Sequence, residues 1–258
     1  MRILITNDDG IYAQGLWILA KELSKIAEVV IVAPDREQSA IGTAVSLRRP
    51  LIVQKITPLV PGIEAYSVEG TPADSVILAL GKIAGDRIDL VVSGINHGAN
   101  LGEDVLISGT VGAALVGYLR GFPALAVSTA EWDDLCLTNT ARFIELLARK
   151  IISSPVGNNV FLNVNMPSLP VTEVKGVKIT RLAGKSHINT VEEGHDGKRT
   201  YYVLVRQALE KEPDAKTDIW AINQGNISIT PLNIFLGNRF SPAALEGLCS
   251  GLLDELLK

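Results

Sequence analysis

The chain alternates short apolar runs with stretches whose apolar residues recur at helical spacing. Residues 3–6 (ILIT) form an uninterrupted apolar run of the kind seen in a strand covered on both faces. Residues 13–27 (AQGLWILAKELSKIA) place apolar side chains one turn apart and predict a helix. A second buried strand, 28–33 (EVVIVA), stops at Pro34. Residues 47–56 and 65–68 read as short strands. Thr71-Pro72-Ala73-Asp74 opens a helix running to about residue 84, with Thr71 as N-cap and Pro72 in the first turn. Strands follow at 89–93, 123–128 and 160–165, separated by helices at 110–119 and 139–153.

Strand and helix in alternation with short links predict an α/β fold: a Rossmann-like, doubly wound, mostly parallel sheet over residues 1–170. The pattern then changes. Residues 177–181, 200–206, 220–223 and 227–230 read as strands, and the segments between them, 183–199 and 208–218, are polar. We read 171–240 as a β-rich arm of hairpins too thin to build their own core, of a kind that packs on a neighbouring subunit. An amphipathic helix over 242–257 closes the chain, so 241–258 forms a third segment.

Composition narrows the function classes. Hydrophobic residues make up 47% of 258, enough for a substantial core. A net charge of −4 without a dense Lys/Arg block argues against binding duplex nucleic acid, which needs a basic face. No apolar stretch approaches a membrane span and no signal peptide is visible, so the expectation is a cytoplasmic protein with no membrane partner. Cys136 and Cys249 lie far apart and read as reduced, buried thiols.

The candidate chemistry lies in loops that each follow a predicted strand. Asn7-Asp8-Asp9-Gly10 ends the first strand with adjacent carboxylates. These repel unless a cation sits between them. The alternative is a turn that caps the next helix. The loop 34–42 carries Asp35, Arg36, Glu37, Gln38 and Ser39. The third loop, 94–110 (GINHGANLGEDVLISGT), is rich in Gly and Asn and ends in Ser108-Gly109-Thr110 before a helix. Open N–H groups there, with two hydroxyls, suit a phosphate; ordinary helix capping is the alternative. A parallel sheet delivers all these loops to one edge. His97 reads as a solvated residue. There is no GxxxxGK[ST], no G-x-G-x-x-G, no G-x-S-x-G, and the two acids are adjacent rather than in a DxD pair. Carboxylates, a hydroxyl and an amide oxygen are hard donors, suited to one divalent ion such as Mg²⁺, Mn²⁺ or Ca²⁺. Together they predict metal-dependent hydrolysis of a phosphate monoester. A non-catalytic nucleotide-binding regulatory module using the same loops is the competing class.

Several segments in order resemble the stationary-phase survival protein SurE family of 5′(3′)-nucleotidases. They are ILITNDDG at 3–10, APDREQSAIG at 33–42, GTPADSV at 70–76, VSGINHGANLGEDVLISGTVGAALVG at 92–117 and ISITPL at 227–232. The resemblance implies a metal held by Asp8, Asp9, Ser39 and Asn96, and a phosphate contacted by Asn100, Ser108, Gly109 and Thr110. It implies hydrolysis of nucleoside 5′- and 3′-monophosphates, with activity on short polyphosphate; in such a reaction Asp8 or Asp9 is the candidate base. It further implies a homodimer or homotetramer built through the C-terminal arm. The family often has Tyr where this chain has Ile107, and an aromatic residue where it has Asn226.

Overall fold

A computed structural model describes residues 1–84, 88–130, 133–153, 160–184, 187–208 and 213–234. The helix expected over 242–257, and Cys249 within it, lie outside the described residues.

The strands are β1 (Arg2–Thr6), β2 (Glu28–Pro34), β3 (Val53–Lys55), β4 (Glu64–Val68), β5 (Leu90–His97), β6 (Ala124–Thr129), β7 (Phe161–Met166), β8 (Val177–Ile179), β9 (His187–His195), β10 (Thr200–Ala208) and β11 (Ile227–Pro231). The helices are α1 (Gln14–Leu23), α2 (Pro72–Leu78), α3 (Gly109–Leu119), α4 (Asp134–Ile152) and α5 (Asp218–Asn223). Nine strands make one sheet in the order β3-β4-β2-β1-β5-β6-β7-β11-β8. Every pairing from β4 to β7 is parallel, while β3 and β11 each run antiparallel to an inner neighbour.

The central strands are buried because the sheet is covered on both faces. Ile3 and Ile5 face a core shared with α1 and α4, and Leu4 faces the opposite core, shared with α2 and α3. That is why residues 3–6 read as a continuous apolar run instead of an alternating one. From β1 the chain winds outward to β2 and β4, then returns across to β5 on the other side. The order of strands therefore reverses between β1 and β5, and such a reversal opens a crevice at the carboxyl ends of the two strands.

Local signals account for most boundaries. Thr71 accepts the Asp74 N–H at 3.0 Å while Asp74 Oδ2 accepts the Thr71 N–H at 2.9 Å, a capping box that starts α2. The helix ends in a wider π turn, Ala79–Ile83. Asp133 caps α4 by accepting the N–H groups of Leu135 and Cys136, which starts this helix ahead of the expected residue 139.

Some expectations are corrected. Of residues 47–56 only Val53–Lys55 is strand: Arg48 has φ +65° and Pro50 has no N–H to give a ladder. Residues 220–223 are helical, inside α5. Thr217 accepts the Trp220 N–H and starts a turn that buries Asp218 and Ala221, three residues apart on one helical face. The polar stretch 183–199 contains β9, which among the described residues pairs with β10 alone. The segment 171–240 thus divides. β8 and β11 extend the main sheet, and the β9–β10 hairpin forms a separate two-stranded sheet. Val191, Tyr201, Tyr202, Val203 and Leu204 of the hairpin are exposed. Among the described residues no helix is long and apolar enough to cross a membrane.

Candidate functional site

The carboxyl ends of β1 and β5 meet at the reversal in strand order, where a cavity of about 430 Å³ opens. Its lining includes Asp8, Ser39, Asn96, Asn100 and Ser108, contributed by all three loops singled out from the sequence. Ala40, His97, Asp104 and Ile107 complete much of its wall.

The turn after β1 is fixed from several sides. Asn7 Nδ2 donates to the Gly10 carbonyl at 3.0 Å, and Ile11 N–H donates to the Pro34 carbonyl at 2.8 Å. Gly10 has φ +99° and lies against the Arg36 backbone, where a side chain would be both strained and crowded. The helix-capping alternative for the two acids fails: α1 begins at Gln14 with Ala13 as N-cap and no side-chain cap.

Asp8 is buried and Asp9 half-buried. Burial pushes the Asp8 carboxyl above the usual carboxylate range, against the opposing hydrogen bond from Thr110. Burial, and then the neighbouring Asp8 charge, push Asp9 up to about 7. Both shifts express one fact: two acids share a low-dielectric corner. The described lining of the cavity contains no Lys or Arg to offset them.

Neutral oxygens surround the pair. Gln38 N–H donates to the Asp8 carbonyl at 2.7 Å and docks the second loop on the end of β1. Ser39 follows, its hydroxyl donating to Glu37 at 2.5 Å, which leaves its lone pairs available. Asn96 donates its amide N–H groups to the Gly98 and His97 carbonyls at 2.7 and 3.3 Å, so its Oδ1 is the atom left for a cation. His97, exposed, donates its backbone N–H to Asp9 Oδ2 at 3.4 Å. A set of two carboxylates, a hydroxyl and an amide oxygen fits a hard divalent ion. Among the described residues no group of three or more His, Cys, Asp and Glu is placed to hold a metal, so any ion here depends on the neutral oxygens as well.

The expected phosphate residues divide in role. Asn100 and Ser108 line the cavity. Ser108 is also the N-cap of α3, its hydroxyl accepting the Val111 N–H at 3.2 Å. Gly109 begins the helix directly against Asp8, where an added Cβ would lie 2.8 Å from Asp8 Cβ and 2.9 Å from Asp8 Oδ2. Thr110 differs from expectation. It is fully buried, its hydroxyl donates to Asp8 Oδ1 at 2.5 Å, and its backbone N–H also serves Asp8. Its proton donors are spent on that carboxylate, so Thr110 orients Asp8 instead of offering a hydroxyl proton to phosphate.

Sequence reasoning missed residues that border or brace the cavity. Ala40 and Asp104 lie inside the quoted segments 33–42 and 92–117 but were given no role. Asn163 and Asn165 did leave a signal, namely two amides two residues apart inside a strand that should be apolar on both faces. Of the two departures, Ile107 stands on the cavity wall, while Asn226 is buried beside α5 and its N–H donates to Ala221. Cys136 is a buried free thiol beside the Thr129 hydroxyl.

Fold and site together define a doubly wound α/β protein with an acidic, amide-lined pocket at its topological switch point. A family model described as survival protein SurE matches residues 3–189. A 5′-nucleotidase SurE of Dehalococcoides mccartyi (strain ATCC BAA-2266 / KCTC 15142 / 195) is 56% identical over 236 residues, 90% of this chain and 89% of that protein. A 5′-nucleotidase SurE of Moorella thermoacetica is 46% identical over 241 residues, 92% of each chain. The crystal structure of the SurE protein from Aquifex aeolicus superposes with a TM-score of 0.83 at 32% identity, covering 96% of this chain and 99% of that one. The chain belongs to the SurE family.

Proposed function

We propose that the protein is a 5′-nucleotidase, a metal-dependent phosphomonoesterase that converts nucleoside 5′- and 3′-monophosphates to nucleoside and phosphate. The observation that carries this reading is the buried Asp8 carboxylate on the wall of a pocket of donor oxygens, with the Asp9 carboxylate next to it. An anion-binding module has little use for two carboxylates unless a cation intervenes. The names borne by the relatives from Dehalococcoides and Moorella support the same activity.

A divalent ion held by Asp8, Asp9, Ser39 and Asn96 would polarise a phosphoryl oxygen and lower the pKa of a water molecule. Thr110 and Gly109 fix the Asp8 carboxylate, the first by hydrogen bonds and the second by close packing. Asn100, Ser108 and the backbone N–H of Gly109, at the start of α3, orient the phosphate. Thr110 occupies Asp8, whereas Asp9 meets a long contact from His97, so Asp9 is the proposed base. Ala40, His97 and Ile107, on the same cavity lining and outside the assigned metal and phosphate sets, are the residues proposed to meet the nucleoside. Short polyphosphate is a second proposed substrate class, resting on the family resemblance. The exposed apolar side chains of the β9–β10 hairpin support assembly into a homodimer or homotetramer.

Phosphate release from a panel of nucleoside monophosphates, with Mg²⁺, Mn²⁺, Ca²⁺ or chelator, tests the reading. Metal-dependent release is expected, together with its loss in Asp8→Asn under excess Mn²⁺. No release from any substrate would favour the non-catalytic nucleotide-binding module.

A further inference from the structure

We propose that Asn163 and Asn165 of β7 are positioning residues that hold Asn100 in place for phosphate. The proposal rests on the reading of Asn100 as a phosphate contact.

β7 lies between β6 and β11, and both asparagines are fully buried. A strand in that position favours β-branched apolar side chains, and a buried amide costs free energy unless it is hydrogen-bonded. The bonds these two make converge on one residue. Asn163 Nδ2 donates to the Asn100 carbonyl at 2.8 Å. Asn165 Nδ2 donates to the same carbonyl at 3.1 Å, and Asn165 Oδ1 accepts the Asn100 N–H at 2.8 Å. The Asn165 amide thus grips both polar groups of the Asn100 backbone, as a neighbouring strand would. The Asn100 side chain is tied down separately, its Nδ2 donating to Ser128 Oγ on β6 at 2.9 Å.

The loop needs such an anchor. Gly98 and Gly102 flank Asn100 at φ +99° and +54°, and glycine restricts the backbone least. Asn163 also carries a sign that stability did not select it. Its Oδ1 is buried with no hydrogen-bond partner among the described residues. An apolar strand-former would avoid that cost, so the amide is explained by what its other end does to Asn100.

The test uses the full chain and inorganic phosphate as probe, titrated calorimetrically in the presence of Mn²⁺. Asn163→Val should melt no lower than wild type. Its phosphate Kd should nevertheless rise about tenfold, as expected for losing one ordinary hydrogen bond. Its Mn²⁺-induced rise in melting temperature should be unchanged, because no proposed metal ligand is touched. Asn165→Ala should lose more, and Asn165→Asp, which keeps the acceptor for the Asn100 N–H, should fall between it and wild type. Unchanged phosphate affinity in Asn163→Val would overturn the proposal, even if Asn165→Ala failed to fold. Asn100→Ala separates the two readings. If it leaves phosphate binding intact, the assignment of Asn100 is wrong. If it weakens phosphate while Asn163→Val and Asn165→Ala do not, the assignment stands and the bracing role falls.

Discussion

Without a bound cation this protein should become less stable as pH rises from 5 to 7, the reverse of ordinary acid denaturation. Asp9 in the folded chain sits at about 7, against 3.8 for the unfolded value. Across that window the folded state holds a proton at Asp9 that the unfolded state has released. Stability is therefore fully present at low pH and declines as pH rises through the folded pKa, with a limiting slope of about 1.4 kcal/mol per pH unit. Integrated from pH 5 to 7, Asp9 alone gives a loss of about 2 kcal/mol, an upper limit because its partial exposure screens the charge. Asp8 is shifted in the same direction and adds to the trend. Glu64, held low by hydrogen bonds from Tyr66 and Lys55, contributes nothing to it. The same holds for Asp74, which burial would raise but which hydrogen bonds from Ser46 and Thr71 bring below its usual value. Both are ionised in either state above pH 5, and their stabilisation is lost only at more acid pH. For a chain of this size about 2 kcal/mol corresponds to a fall of about 4–8 °C in melting temperature. Calorimetric melts in EDTA at pH 5, 6 and 7 measure it. Asp9→Asn should flatten most of the slope. Saturating Mn²⁺ should reverse its sign, because ligation requires both carboxylates ionised. A chelated wild-type protein whose melting temperature stays flat or rises over this range would refute the account of the acid pair.

Gly109→Ala should cost about 1–3 kcal/mol through overpacking against buried Asp8, offset by about 1 kcal/mol of helix propensity. Its phosphatase activity should fall far more than its melting temperature; comparable activity with normal stability would show that Asp8 can move aside. Ile107→Tyr should change the KM ranking among nucleoside monophosphates and leave inhibition by inorganic phosphate unaltered, as steady-state kinetics on a base panel would show.

The doubly wound core was legible because its signals are local. Apolar runs marked β1, β2, β5 and β6, and Thr71 with Asp74 announced α2 by a reciprocal cap. The acid pair drew attention because two adjacent carboxylates end an apolar run, while the turn-and-cap alternative was settled only by the start of α1 at Gln14 without a side-chain cap. What escaped depended on partners distant in sequence. Among the described residues β9 pairs with β10 alone, outside the main sheet, and its sequence HINTVEEGH carries no apolar alternation to mark it. Residues 220–223 carry strand-forming Trp and Ile, yet the cap at Thr217 and the burial of Asp218 decide for helix. Thr110 looked like a phosphate donor because it opens a helix. Only the fold, which sets the start of α3 against the turn after β1, gives its proton to Asp8. Asn163 and Asn165 read as strand residues because nothing local joins them to Asn100, more than 60 positions away.

The contact between Gly109 and Asp8 restricts how this site can diversify. Gly109, which opens α3, leaves no room for a methyl group beside the buried acid, so changes on that side reach Asp8 as well. The acid corner and the start of α3 are mechanically one part. Ala40, His97 and Ile107 stand elsewhere on the cavity lining. Drift on that wall would move substrate choice among nucleotides while the chemistry stays fixed.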